Sequence, residues 1–282
     1  MRMPKRVSQL RVSFSPVRRI NGALVAPHVV MRHPKSGRRV HLVGTAHMRT
    51  QDSWENINRK LALLAAQGNA IHVEGLRPVG PDATEDERYV QTLLEKNMGG
   101  EGSGILAELG LVPRRLGFIA PFESKNMDVS CTEISALLSE AHIDGLERRA
   151  ERQKANKVAL IETLNQVYSH PRAWRAITQL MTAITSVVSG SMERLIPGPT
   201  VLPREVIIDM RNSNAVREAL KEEGDVVLFW GAAHVSGMMS LLKSQGYAME
   251  KIEWSERLFG PKDLRIPSPA SRNPDHETQI AT

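Results

Sequence analysis

Apolar positions along this 282-residue chain switch between a period of two and a period near 3.6, and the switches mark its elements. Residues 23–32 and 38–44 are β-rich runs separated by His33-Pro34-Lys35-Ser36-Gly37, a sequence suited to a turn. They predict a hairpin leading into a first core strand, Arg39 to Gly44. Helical spacing follows: Trp54, Ile57, Leu61 and Leu64 share one face, with Ser53 the expected N-cap and Gly68 the expected stop. Ala70 to Glu74 then reads as a short strand ended by Gly75. Strand, helix, strand at this length is a βαβ unit, which implies parallel pairing and a right-handed crossover.

The middle of the chain carries weaker signals. Residues 85–97 read as helix, Gly99 to Gly104 as a loop, Ile105 to Leu109 as a helical turn, and Met127 to Ser130 as a short strand. Residues 133–195 read as mostly helical. Trp174, Ile177, Leu180, Met181, Ile184 and Val187 form an amphipathic stripe there, suited to packing on other helices or to capping a site. The α/β pattern returns in the last third. Pro203 is expected to open a helix to about Lys221, with Gly224 just beyond it. Asp225 to Trp230 is a continuous apolar run, as in a strand covered on both faces. A helix to about Gln245 and a last strand from Tyr247 to Trp254 complete the pattern.

These elements predict an α/β fold with a mainly parallel central sheet, flanking helices and a helical insertion over about 85–200. The expected organisation is a basic flexible arm at 1–20, one α/β domain over 21–260, and a disordered tail at 261–282 rich in Pro, Ser and Asn. Composition sharpens this picture in two places. The net charge of +6 is uneven: residues 1–51 hold eleven Lys and Arg and no acid, so the other 231 residues stand at −5. A basic arm on a mildly acidic body argues against a nucleic-acid surface. It suits a cytoplasmic protein, or import into a mitochondrion or plastid. The single cysteine, Cys131, rules out an internal disulfide and a cysteine-based zinc cluster. No transmembrane span is expected: the uncharged run Ala176 to Met192 has seven Thr, Ser or Gln among its seventeen residues.

One short motif occurs twice. Gly44-Thr45-Ala46-His47 ends the first core strand, and Gly231-Ala232-Ala233-His234 ends the late one. Glu74 has the same placement on its own strand. Ligands of open α/β sheets bind outside the carboxyl ends of the strands. If the three strands are parallel neighbours, His47, Glu74 and His234 meet at one mouth. Two imidazoles and a carboxylate suit a divalent Mn, Co, Zn or Fe ion with open positions for water. His72, two residues before Glu74, and Asp128, near a strand end, are accessory candidates. No HExxH or G-x-S-x-G occurs.

The segment His41 to His47, followed after one helix by Val73-Glu74-Gly75, resembles the opening of TraB-domain proteins. The block Asp209 to Asn214, followed by Gly231-Ala232-Ala233-His234-Val235-Ser236-Gly237-Met238, is similar to that family's Arg-Asn helix and second Gly-x-x-His. The likeness runs from about 39 to 255. One departure is that Met210 stands between Asp209 and Arg211, where an acid next to the arginine is expected. The resemblance implies an EreA/ChaN-like fold in the TraB/Tiki superfamily and a metal-dependent, peptidase-like hydrolase acting on a peptide or small-molecule substrate. It implies His47, Glu74 and His234 as metal ligands, with Glu74 and Arg211 catalytic: Glu74 as a base, Arg211 paired with Glu74 or stabilising negative charge. The alternatives are a non-catalytic binding or signalling role of the pheromone-shutdown kind, and a haem or metal binder without turnover.

Overall fold

A computed structural model describes residues 17–98, 110–148, 150–151, 205–260 and 263. Most of the expected arm and tail, the Gly99 to Gly104 loop, the Ile105 to Leu109 turn and the stripe from Trp174 to Val187 lie outside the described residues. At the edge of the expected arm, Arg18–Ile20 form a first strand, β1.

β2 (Ala23–Arg32) and β3 (Arg39–Thr45) make the predicted hairpin, antiparallel with Val30 opposite His41. A short strand β4 (Met48–Arg49) and helix α1 (Gln51–Ala66) follow. The cap lies three residues before the expected one. Thr50, extended at φ −69° and ψ 159°, accepts a hydrogen bond from the Ser53 backbone N–H, while the Ser53 hydroxyl donates to the Arg257 carbonyl. β5 (Ala70–Val73) closes the βαβ unit. α2 (Glu85–Met98), β6 (Val112–Pro113), the single turn α3 (Arg114–Gly117), β7 (Lys125–Asn126) and α4 (Cys131–Ser135) follow. The strand expected at 127–130 is therefore β7, two residues earlier, with only an isolated parallel bridge between Arg77 and Ser130. A π-helical turn at Glu205–Met210 runs into α5 (Arg211–Lys221), and β8 (Val226–Gly231), α6 (Ala232–Ser244) and β9 (Ala248–Phe259) end the described chain.

The main sheet is mixed, not mainly parallel. β3, β8, β5 and β7 are parallel neighbours in that order, whereas β1 and β3 both run antiparallel to β2, and β9 lies antiparallel along β2's other edge. A hairpin forces the β2–β3 direction. The twelve residues of β9 then follow β2 and not the parallel half.

The continuous apolar run of β8 is explained by its central position. Val227 and Phe229 pack with Trp54, Ile57 and Leu61 of α1 on one face. Val226, Leu228 and Trp230 pack with Ala215 and Ala219 of α5 and Val235, Met238 and Leu242 of α6 on the other. Burial of this kind contributes roughly 1.5–3 kcal/mol per large aliphatic or aromatic side chain. Among the described residues no helix is long and apolar enough to cross a membrane.

α1 also anchors the α3 turn. Trp54 Nε1 donates to the Val112 carbonyl at 2.7 Å, and Asn58 Nδ2 donates to the Gly117 carbonyl at 2.8 Å. Gly117 lies directly on the indole: a β carbon there would stand 2.2 Å from Trp54 Cδ1. The substitution Gly117→Ala is expected to displace the ring and cost about 1–3 kcal/mol. Urea denaturation should show a lower midpoint at unchanged slope; an unaltered midpoint would show that Trp54 does not hold this turn.

Candidate functional site

β3, β8 and β5 are neighbours with their carboxyl ends together, Thr45 opposite Gly231 and Val73 opposite Phe229. That register brings Glu74 and His234 together at the mouth, with His47 exposed beside it. Glu74 leaves β5 with its backbone N–H still bonded to the Phe229 carbonyl at 3.0 Å, and its side chain is buried. Oε1 accepts from Arg211 Nη2 at 2.7 Å and lies 3.5 Å from His234 Nε2. Oε2 accepts from the Gly231 backbone N–H at 2.5 Å and lies 3.5 Å from Arg114 Nη1. Two glycines give this cluster its room. A β carbon on Gly231 would stand 3.2 Å from Glu74 Oε2, and one on Gly237 would stand 2.3 Å from Asn212 Nδ2.

Arg211, the first residue of α5, is buried between two carboxylates. Its Nε donates to Asp128 Oδ1 at 2.9 Å and its Nη2 donates to Asp128 Oδ2 at 2.5 Å as well as to Glu74. Asp128 accepts in addition from the backbone N–H groups of Gly75 and Val129. Asp128 thus sits in the cluster as Arg211's counter-charge. The pairing of Arg211 with Glu74 leaves the guanidinium compensated on both sides. His234 is buried on the first turn of α6, its Nδ1 2.7 Å from Asn212 Oδ1.

His47 is exposed at the rim, where its carbonyl accepts from the Arg114 backbone N–H at 2.8 Å. The two-stranded pairing of β4 with β6 brings Arg114 under this rim. Arg114 Nη2 donates to the Glu74 carbonyl at 2.6 Å, and its guanidinium lies over the rings of Phe118 and Phe229. Sequence reading missed Arg114 because it follows Pro113 in a stretch without periodicity.

His72 points to the same sheet face as Glu74 but away from the site. Its Nε2 lies 2.9 Å from Glu222 Oε1, at the far end of α5. Two surface clefts, of about 380 and 610 Å³, are lined by Pro78 and Arg88 and by Arg38 and Tyr247; neither reaches the cluster. His47 is the exposed residue of the set.

The charges of Glu74 and Asp128 balance those of Arg211 and Arg114. Burial alone would raise the Glu74 carboxyl, but Arg211 foremost, with the neighbouring histidines and Arg114, holds it far below the usual carboxylate range. Burial would likewise lower the Arg211 guanidinium, and its bonds to Asp128 and Glu74 outweigh that and raise it. His234 is pushed down to about 4 by burial, against Glu74 and with Arg211. His47 is lowered by desolvation, resisted by Glu74 and reinforced by Arg114 and Arg211. At neutral pH both imidazoles are neutral and Glu74 is an anion.

A divalent cation does not fit this donor set. Both Glu74 oxygens are bonded to N–H groups, one of them on a guanidinium. Among the described residues no three His, Cys, Asp or Glu side chains are placed to hold a metal. No protein-family model matches the chain, and no curated protein matches it significantly.

Acid should destabilise the fold. His28, pushed down to about 3 chiefly by burial, and His41 and His72, both lowered first by burial, join the two site histidines. The unfolded chain protonates all five near 6.5 while the folded chain does not, so stability falls as pH drops below that value. Each of the buried histidines, His28, His72 and His234, costs up to about 1.4 kcal/mol per pH unit until its folded pKa is reached, and the more exposed His41 and His47 cost less. Glu74 adds to the loss below its unfolded value of 4.5. Urea midpoints should fall steadily from pH 7.5 to 5; a flat profile would contradict this assignment of neutral imidazoles in the folded chain.

Proposed function

We propose that this chain is a TraB-like hydrolase of carboxylic-acid derivatives, esters or peptides, in which His234 takes the proton and Glu74 is the fixed anion facing it. The observation that carries the proposal is the 3.5 Å approach of His234 Nε2 to Glu74 Oε1 at the carboxyl ends of three parallel strands. A second support is the cost of the cluster. Two carboxylates and a guanidinium buried together gain little over apolar packing of the same volume, so stability alone is a weak reason for them.

In this scheme a water bonds to the substrate carbonyl carbon and gives its proton to Nε2. The imidazolium that forms lies against Glu74, which is already ionised and offsets part of the basicity that burial removes. The carbonyl oxygen becomes an oxyanion, which Arg114 at the rim stabilises. His234 then returns the proton to the leaving alcohol or amine as the tetrahedral carbon breaks that bond. Arg211, compensated on both sides, keeps Glu74 in place. His47 is the first imidazole an incoming substrate meets.

The motif residues at the ends of the parallel strands are what support the TraB-domain reading and an EreA/ChaN-like interpretation of the fold. The metal-dependent form of the reading has less support, because Glu74 is already committed to Arg211 and Gly231.

The test is a panel of chromogenic esters and fluorogenic peptides, given to the wild type with and without chelator, and to His234→Ala and Glu74→Gln. The expected result is turnover that survives chelation and falls roughly 10²–10⁴-fold in His234→Ala. Turnover abolished by chelator and restored by Mn, Co, Zn or Fe would overturn the metal-free scheme. A wild type inert on the whole panel that still binds peptide would favour the non-catalytic role, and a Soret band on haem titration would favour the haem binder.

A further inference from the structure

Asn212 is buried, and its two polar side-chain atoms are treated unequally. Oδ1 lies 2.7 Å from His234 Nδ1, whereas Nδ2 has no hydrogen-bond partner among the described residues. A buried donor without a partner costs roughly 1–3 kcal/mol, which a leucine of similar shape would not incur. Packing therefore does not explain an amide here. The space it occupies exists because residue 237 has no side chain: a β carbon there would meet Nδ2 at 2.3 Å and Cγ at 3.3 Å. Gly237 stands one helical turn after His234 on α6, so the same helix carries the imidazole and the gap that admits its partner.

An amide oxygen only accepts. A neutral imidazole bonded to it through Nδ1 must carry its proton on that nitrogen, which leaves Nε2 bare and facing Glu74 Oε1. Without the amide oxygen the preference reverses. Nε2–H would then donate to the Glu74 carboxylate, and the nitrogen needed as proton acceptor would be blocked.

We infer that Asn212 is a positioning residue that holds His234 in the Nδ1–H tautomer, and that Gly237 is the space requirement of that lock. The inference deepens the hydrolase reading and rests on it for the consequence to turnover; the tautomer itself is observable without substrate.

The experiment is long-range ¹H–¹⁵N NMR on full-length protein labelled at histidine nitrogens, at pH 7, with His234→Ala to assign the signal. The wild type should show Nδ1 protonated and Nε2 bare. Asn212→Leu should shift His234 toward Nε2–H without lowering the urea midpoint, and Gly237→Ala should reproduce the shift. Asn212→Asp, which keeps an acceptor, should retain Nδ1–H. With any substrate found, Asn212→Leu should lower kcat 10- to 100-fold and Asn212→Asp should recover most of it. An Nε2–H signal in the wild type would overturn the inference. So would an Nδ1–H tautomer that persists in both Asn212→Leu and Gly237→Ala, and the wild-type spectrum decides the point even if the variants fail to fold. The predicted tautomers in a protein that hydrolyses nothing would leave the lock standing and sink only the hydrolase reading.

Discussion

A single buried carboxylate organises this end of the molecule. Glu74 takes a guanidinium from the start of α5 on one oxygen and the backbone N–H that opens α6 on the other. An uncompensated charge at that depth would cost several kcal/mol, so each of these donors has to arrive at a fixed place. The parallel order β3, β8, β5 brings them there, because it sets the Gly231 turn beside the end of β5. Asp128 completes the balance by taking the other side of Arg211. The two glycines of the late motif then read as steric requirements: Gly231 admits the carboxylate, and Gly237 admits the amide that touches His234.

The electrostatic result is a site that near neutral pH holds an anion against a buried neutral imidazole, with a second neutral imidazole at the rim. Desolvation lowers the imidazoles, and Arg211 foremost lowers the carboxylate. The division between inside and outside follows the elements. α5 and α6 supply the buried partners, whereas the link between β3 and β4 supplies His47 and the α3 turn, fastened to α1 through Trp54 and Asn58, supplies Arg114.

Much of this was legible in the sequence, for physical reasons. Apolar runs stopped by glycine marked the strand ends, and the βαβ spacing required β3 and β5 to be parallel, so the meeting of Glu74 with His234 followed once β8 lay between them; the pairing of Glu74 with Arg211 was implied by the resemblance alone. The direction of half the sheet was less legible. β9 pairs with β2, and an isolated strand does not announce which neighbour it will take. Alternation correctly put His72 on Glu74's face, but α5 lies along that face, and the two side chains reach its opposite ends, Glu222 and Arg211. Asp128 was singled out as a metal ligand because an acid at a strand end has that chemistry; that it faces a buried arginine is a tertiary fact. Arg114 and Asn212 depend on contacts between distant segments and left no local pattern.

The central claim is that the Glu74–Arg211 pair is the interaction on which the site is built, and a double-mutant cycle on stability tests it most directly. Urea denaturation of the wild type, Glu74→Gln, Arg211→Met and the double variant gives the coupling between the two side chains. Each single change unbalances the buried charges, so each should cost about 3–5 kcal/mol, and the double variant should cost clearly less than their sum, with a coupling of at least about 2 kcal/mol. Additive losses, with coupling below about 0.5 kcal/mol, would mean that the two side chains do not depend on one another, and the account of the site would fail at its base.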